Sequence, residues 1–337
     1  MSGISRLIRS ATLYGYADLA LSAGLNPAAL LRRVGLSEAV LRQPDHPIRL
    51  DAACRLLELS SQASRMDNFG LRLAAGRRLA NLGAVSVVLR EEPTGMAALD
   101  TLCRFLQLVN PSLFTWVEHF EDVVLIREEL LADQPIPVRQ SVEMAVGVMH
   151  GILRELLGPL WRARRVCFTH RAPPELTFHR QMFACPLEFN AEFNGIVCTR
   201  QDLLVELPGR DAGLARYAQA TLDKALAQAR PGATDAVRQL IAVLLPQGRC
   251  TAKQVAVHLG VDRRTIHRQL ALEGHSFSGL LLAVRKEFVA RQLRDSDRTV
   301  TEVAQLMGFA SSSAFAHWFR LQHHMSVSQW RVQALAD

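Results

Sequence analysis

Residues 251–274 read Thr251-Ala-Lys-Gln-Val-Ala-Val-His-Leu-Gly260, then Val261-Asp262-Arg263-Arg264-Thr265-Ile266-His267-Arg268-Gln269-Leu270 and Ala271-Leu272-Glu273-Gly274. In the first segment Val255, Ala256 and Leu259 share one face of a short helix, and Gly260 supplies the sharp turn that ends it. Asp262 is an N-cap residue for a second helix, which places Ile266 and Leu270 on one side and Arg264 and Arg268 on another. Small Ala256 permits a close helix crossing, and the polar face of the second helix suits a major groove about 12 Å wide. This is the spacing of a helix-turn-helix.

The pattern occurs again. Val300, Val303, Ala304 and Met307 fall at i, i+3, i+4 and i+7, Gly308 makes the turn, and Ser311-Ser312-Ser313 supply capping hydroxyls for a helix from Ala314 to Leu321. There Phe315, Trp318 and Phe319 form a core face, with Ser313, His317 and Arg320 opposite. Between the motifs, Phe277 to Leu293 is an unbroken helical stretch about 26 Å long at 1.5 Å per residue. A rigid spacer of that size lets one chain address successive major-groove openings about 34 Å apart.

Charge follows the same division. The 337 residues, enough for about two domains, carry 39 Lys plus Arg against 32 Asp plus Glu. Residues 236–337 hold 13 basic and 7 acidic side chains, which leaves 26 against 25 for residues 1–235. The cationic excess therefore belongs to the last third, where phosphate neutralisation needs it. Six of the 11 histidines (His258, His267, His275, His317, His323 and His324) also lie there and add charge below neutral pH.

Upstream, leucine clusters separated by breakers at Gly24, Asn26-Pro27, Gly35 and Pro44 to Pro47 predict a helical layer over residues 4–80. Met96 to Leu108 and Val142 to Leu157 are predicted helices. Phe114 to Phe120 and Val123 to Arg127 predict a hairpin, and Arg165 to Thr169, Leu187 to Phe189 and Gly195 to Thr199 predict further short strands. A helix from about Asp211 to Gln228 runs into Arg230-Pro231-Gly232-Ala233-Thr234, where the domain boundary is placed. The fold class is thus an α+β domain, residues 1–230, followed by an all-α domain, residues 231–337, with two helix-turn-helix motifs joined by a linker helix.

Six cysteines (Cys54, Cys103, Cys167, Cys185, Cys198 and Cys250) without a C-x-x-C pair read as reduced thiols. Arg6 and Arg9 interrupt the apolar residues of the N-terminus, and no 18-residue apolar run exists, so cytoplasmic residence without a membrane partner is expected. A transit peptide up to Ala17 is the minor alternative to an ordinary first helix.

The residues resemble AraC/XylS-type transcription regulators. In the second domain the resemblance is carried by Val255-Ala256 through Gly260-Val261, Arg263-Arg264-Thr265, Glu273-Gly274 with Ser276-Phe277, Glu302-Val303-Ala304, Gly308-Phe309, Ser313-Ala314-Phe315 and Trp318-Phe319-Arg320. Residues 1–210 are similar to the arabinose-binding-like sensor of the ornithine- and arginine-responsive branch, through Tyr14-Gly15-Tyr16, Gly70-Leu71-Arg72-Leu73, Leu89-Arg90-Glu91, Arg139-Gln140 with Glu143, and His179 to Asn190. The resemblance implies a regulator, an activator rather than a repressor, that binds promoter DNA and contacts RNA polymerase under control of a small-molecule effector. The alternative is a non-responsive regulator whose first domain only forms a homodimer.

This chain departs from the family pattern at three places. His323-His324 and Ser326-Val327 replace Phe-Gly and Ser-Pro, and His317 stands where Arg is usual. His324 lacks the ease of glycine at a left-handed helix end, Val327 lacks the preset φ of proline, and a neutral His is a weaker phosphate or guanine contact than Arg.

The expected DNA-contacting residues are Arg263, Arg264, Thr265, His267, Arg268, Ser312, Ser313, His317 and Arg320, with Ser312 and Ser313 read as caps before base readers. Cys167, His170, His179, Cys185 and Cys198 match no zinc spacing, so no metal and no cofactor is expected. Glu143 and His150 are read as polar lining or a surface pair, Arg139 as a carboxylate fork or the partner of an acidic neighbour, and Phe114 and Trp116 as core. No nucleophile elbow, P-loop, dinucleotide fingerprint or H-E-x-x-H appears, so no catalytic residue is assigned and an enzyme is not expected.

Overall fold

The computed structural model describes residues 6–130, 136–207, 212–228, 232–245, 250–259 and 261–336. Gly260 and Arg230-Pro231, to which the sequence assigns a turn and a domain boundary, lie outside the described residues. The chain divides into two compact units, Met1–Phe168 with Ala172–Ala229, and Thr169–Arg171 with Arg230–Asp337.

The first unit opens with β1 (Leu7–Arg9), α1 (Tyr16–Ser22), α2 (Pro27–Arg33), β2 (Pro47–Arg49), α3 (Leu50–Ser64), α4 (Phe69–Ala75), α5 (Ala84–Glu91) and α6 (Gly95–Val109). It continues through β3 (Leu113–His119), β4 (Val123–Leu130), α7 (Arg139–Leu157), β5 (Arg165–Cys167), α8 (Thr177–Phe183), β6 (Leu187–Glu188), β7 (Asn194–Thr199), α9 (Arg200–Leu203) and α10 (Ala212–Gln228). The α+β class holds, but the opening is not wholly helical. Leu7–Arg9 pairs antiparallel with Pro47–Arg49, Ile8 opposite Ile48, so a strand stands where an ordinary first helix is expected. Three residues are too few to leave a period-two signature.

The larger sheet has the order β3-β4-β7-β5-β6, antiparallel except for β5 with β6. Alternation decides which face is buried: Val124, Ile126 and Leu130 of β4 face the core with Ile196 and Cys198 of β7. On β3 the inward residue is Thr115, paired with Glu128 across the hairpin. Phe114 and Trp116, expected in the core, are half-buried on the opposite face, with ring centroids 5.4 Å apart.

α7 is the central helix, and Gly70 is why α4 can lie against it. A Cβ at Gly70 would fall on the Gln140 carbonyl oxygen and 2.7 Å from its carbon. The Gly70 N–H donates to Gln140 Oε1 at 2.7 Å, and Gln140 Nε2 donates to the Asp67 carbonyl at 2.7 Å. Beside them Arg139 donates to the Asp67 carbonyl at 3.0 Å and pairs with Glu143 at 3.4 Å, while Glu143 Oε2 lies 3.1 Å from His179 Nε2 on α8. Glu143 and His150 are thus buried rather than a surface pair, and they have different neighbours: His150 packs against Trp161 and Phe183. Arg139 is committed to acidic neighbours. Burial explains both outcomes, since a buried carboxylate or imidazole needs a partner inside the protein.

The second unit comprises α11 (Ala233–Leu244), α12 (Ala252–His258), α13 (Arg263–Leu272), α14 (Phe277–Asp295), α15 (Val300–Leu306), α16 (Ser312–His323) and α17 (Val327–Ala336). α11 packs on α12, α13 and α14, and α14 also packs on α15 and α17. Glu273, just past α13, accepts the Ala233 and Thr234 N–H groups at 2.8 and 2.9 Å and so caps α11. Those bonds, that from Thr234 foremost, hold its carboxyl below the usual range. Arg238 pairs with Glu287 of α14 at 2.6 Å, and the Arg285 guanidinium lies over the Phe309 ring at 5.7 Å.

α16 ends on His324, which adopts φ +57° and donates its N–H to the Arg320 carbonyl at 2.9 Å. The chain makes the left-handed cap without glycine. Its exposed side chain leaves the cost uncompensated, so His324→Gly is expected to stabilise the protein by about 1 kcal/mol. Urea denaturation measures this, and an unchanged midpoint overturns it. Val327 is buried at the start of α17, where its packing replaces what proline's fixed φ supplies.

Candidate nucleic-acid interface and ligand cavity

The polar face of α13 is set by its cap and its core side. Asp262 Oδ1 accepts the Thr265 N–H at 2.7 Å, and Ile266 and Leu270 are fully buried. With those two turned inward, Arg263, Arg264, His267 and Arg268 are exposed. The Arg264 and Arg268 side chains make no hydrogen bond or close ion pair among the described residues, although the charge of Arg268 is felt by Asp262, and both exposed guanidinium forks remain available to a phosphate or base edge. Arg263 Nε points at His267 Nε2, 3.4 Å away. Thr265 is half-buried and its hydroxyl is 3.2 Å from Asp262 Oδ2, so of the five it is the one already engaged in capping.

The second motif starts with a capping box. Thr299 Oγ1 accepts the Glu302 N–H at 3.2 Å, and Glu302 Oε2 accepts the Thr299 N–H at 2.6 Å. Val303, Ala304 and Met307 are buried against α16, whose Phe315 and Phe319 are fully buried. Ser313, His317 and Arg320 are exposed on its other side. The capping expectation is corrected: Ser311 alone caps α16, accepting the Ala314 N–H at 3.1 Å, and Ser312 instead donates to Thr301 Oγ1 at 3.0 Å. Ser312 and Ser313 are the first two helical residues, since one side chain in extended conformation suffices to close the cap.

In the first unit, a cavity of about 100 Å³ lies between α3, α6, α7 and the inner face of the β3–β4 hairpin. Most of its wall is apolar, including Leu57, Leu102, Leu106, Val148 and Ile152. Glu128 also lines it, and burial pushes its carboxyl up to about 8, opposed only by the Thr115 hydroxyl. Cys54, Arg77 and Arg78 are the other ionisable lining residues, and burial lowers Arg77 to about 10.

The sign of the Glu128 contribution follows. The folded chain keeps a proton that the unfolded chain releases above its ordinary carboxyl range near 4.5, so stability falls as pH rises from about 4.5 to 8. The loss is on the order of 5 kcal/mol. Glu128→Gln is expected to flatten this decline, the variant gaining on the wild type steadily between pH 5 and 8 in thermal melts. Parallel profiles overturn the assignment.

Two comparisons decide the family. Residues 24–207 match the arabinose-binding domain of AraC transcription regulators, N-terminal, and residues 255–333 match a helix-turn-helix domain. The chain belongs to the AraC family of transcription regulators. It is 28% identical over 331 residues to the HTH-type transcriptional regulator VirS of Mycobacterium tuberculosis, covering 98% of this chain and 97% of VirS. It is 34% identical over 89 residues to the urease operon transcriptional activator of Escherichia coli, covering 26% of this chain and 30% of that protein. The crystal structure of the transcriptional regulator CdpR from Pseudomonas aeruginosa superposes with a TM-score of 0.45 at 21% identity, over 93% of this chain and 98% of that one.

As an AraC-family member the chain is a DNA-binding transcription regulator with an arabinose-binding-like N-terminal domain. Its families and relatives are regulators and not enzymes. Cys167, Cys198 and His179 go to separate neighbours (Glu188, the Val124 carbonyl and Glu143), and no group of three metal-ligating side chains is gathered among the described residues. No helix among them is long and apolar enough to cross a membrane. The residue that sequence reading missed is Glu128. Its signal was the β4 alternation, which continues beyond Arg127 through Glu128 to Leu130.

Proposed function

We propose that this AraC-family regulator is an activator controlled by a small metabolite bound within residues 1–230, and that residues 231–337 read promoter DNA through α13 and α16. The observation that carries the reading is the pair of exposed cations, Arg264 and Arg268, whose side chains make no hydrogen bond or close ion pair among the described residues, on a helix whose other side is fully buried. Arg263 and His267 extend that face, and Ser313, His317 and Arg320 form its counterpart on α16, with Thr265 and Ser312 at the edges. Lys and Arg neutralise phosphates, side chains at the groove floor read base edges, and effector binding changes how the DNA-binding domain engages promoter and RNA polymerase.

Ligand control is tested by thermal-shift screening of amino acids and other small metabolites, followed by operator binding with each stabilising compound. A stabilising compound that also changes operator affinity is expected. If none does, the non-responsive regulator with a dimerising first domain takes the place of this reading.

A further inference from the structure

Glu128 occupies a position that β4's alternation reserves for the core, between Ile126 and Leu130 on the same face. It is 4% exposed. Its Oε1 has only a long contact of 3.4 Å from the Thr115 hydroxyl, and its Oε2 has no hydrogen-bond partner among the described residues. Gln or Leu at this position would be easier to bury, so the fold alone gives no reason for a carboxyl. The oxygen belongs to a residue lining a cavity whose roughly 100 Å³ approaches the ~150 Å³ of a protein cavity known to hold benzene. By that measure it admits on the order of four to six heavy atoms.

We propose that this cavity is the effector pocket, and that it receives a small apolar molecule through an amine seated on Glu128. The proposal rests on the ligand-control reading above. An apolar chain replaces the contacts that the leucine, valine and isoleucine walls lack. The head group is selected by Glu128. A ligand carboxylate would leave two buried carboxyl groups sharing the one proton that Glu128 holds, and a hydroxyl would make only a neutral bond. An ammonium makes a charge-assisted bond about twice as strong, with Glu128 releasing its proton to water as the cation enters. The other ionisable lining groups do not compete for the amine: Arg77, which donates to the Thr12 carbonyl, and Arg78 are cations, and burial keeps the Cys54 thiol protonated.

The test uses the full chain with 1-pentylamine, 1-pentanol and pentanoic acid as probes at millimolar concentration. Pentylamine is expected to raise the melting temperature by several degrees, pentanol by less and pentanoic acid not at all. Glu128→Gln is expected to weaken pentylamine binding at least tenfold, and Glu128→Leu to abolish its shift while keeping the pentanol response, with far-UV circular dichroism verifying that both variants are folded. A pentanol or pentanoic acid shift equal to that of pentylamine in the wild type, or a pentylamine shift that survives in Glu128→Leu, overturns the proposal. Operator binding separates it from the reading beneath it. A Glu128-dependent shift that leaves DNA affinity unchanged keeps the pocket and removes ligand control. A metabolite that changes DNA affinity equally in wild type and Glu128→Leu keeps ligand control and removes the pocket.

Discussion

Replacing Arg264 and Arg268 together by alanine is expected to reduce affinity for the best promoter site by between roughly thirty- and ten-thousand-fold. Each is exposed on α13 and its side chain makes no hydrogen bond or close ion pair among the described residues, so truncation leaves the fold alone and removes chiefly what the side chain does to a ligand. A base or phosphate contact of this kind contributes about 1–3 kcal/mol, and removing a cation that neutralises one phosphate flattens the salt dependence by about one unit of slope. A promoter fragment titrated across a salt series reads both quantities. Affinity within threefold of wild type, with an unchanged slope, would show that α13 is not the contact helix. The matching change on α16, His317→Ala with Arg320→Ala, is expected to cost less, within about tenfold, because that face offers one permanent cation where α13 offers three.

Gly70→Ala is expected to be the most damaging small substitution in the first unit. The added methyl meets main chain of α7 rather than a side chain that can swing aside. To admit it, α4 must draw away, which breaks the 2.7 Å bond from the Gly70 N–H to Gln140 and strands a buried donor and acceptor. Overpacking costs about 1–3 kcal/mol and the stranded groups a similar amount, together roughly 2–6 kcal/mol. A melting temperature lowered by about 10–20 °C follows. A variant that melts within 3 °C of wild type would mean that the two helices separate without loss.

Local order was legible in the sequence and long-range pairing was not. Helices such as α13 and α16 carry amphipathic stripes with a side chain that caps the first turn, both properties of a few adjacent residues, and α14 is legible as an unbroken helical stretch behind the Ser276 cap. The β3–β4 hairpin was legible for the same reason, although its second strand was read three residues short, ending at Arg127. Arg127-Glu128-Glu129 resembles a solvated charge run unless the alternation is followed to Leu130. α5 and α8 were missed altogether, being short and without a capping side chain to mark their starts. Arg263, Arg264, His267 and Arg268 share the exposed face of α13, and Ser313, His317 and Arg320 that of α16, because each helix is a local unit. The polar cluster of Asp67, Arg139, Glu143 and His179 could not be assembled from spacing, since its members come from three distant segments and only burial makes them need one another.

One consequence of α14 concerns the promoter rather than the protein. This helix of 19 residues is packed into both halves of the DNA-binding domain, against α11 on one side and α15 and α17 on the other, so it ties the two helix-turn-helix motifs together. If α13 and α16 read DNA as proposed, their two half-sites must keep a fixed helical phase. A base substitution in either half-site is expected to weaken regulation by degrees, whereas inserting about five base pairs between them, half a turn of B-DNA, turns one half-site to the far side of the duplex. Promoters under this regulator should therefore vary in letters far more readily than in length.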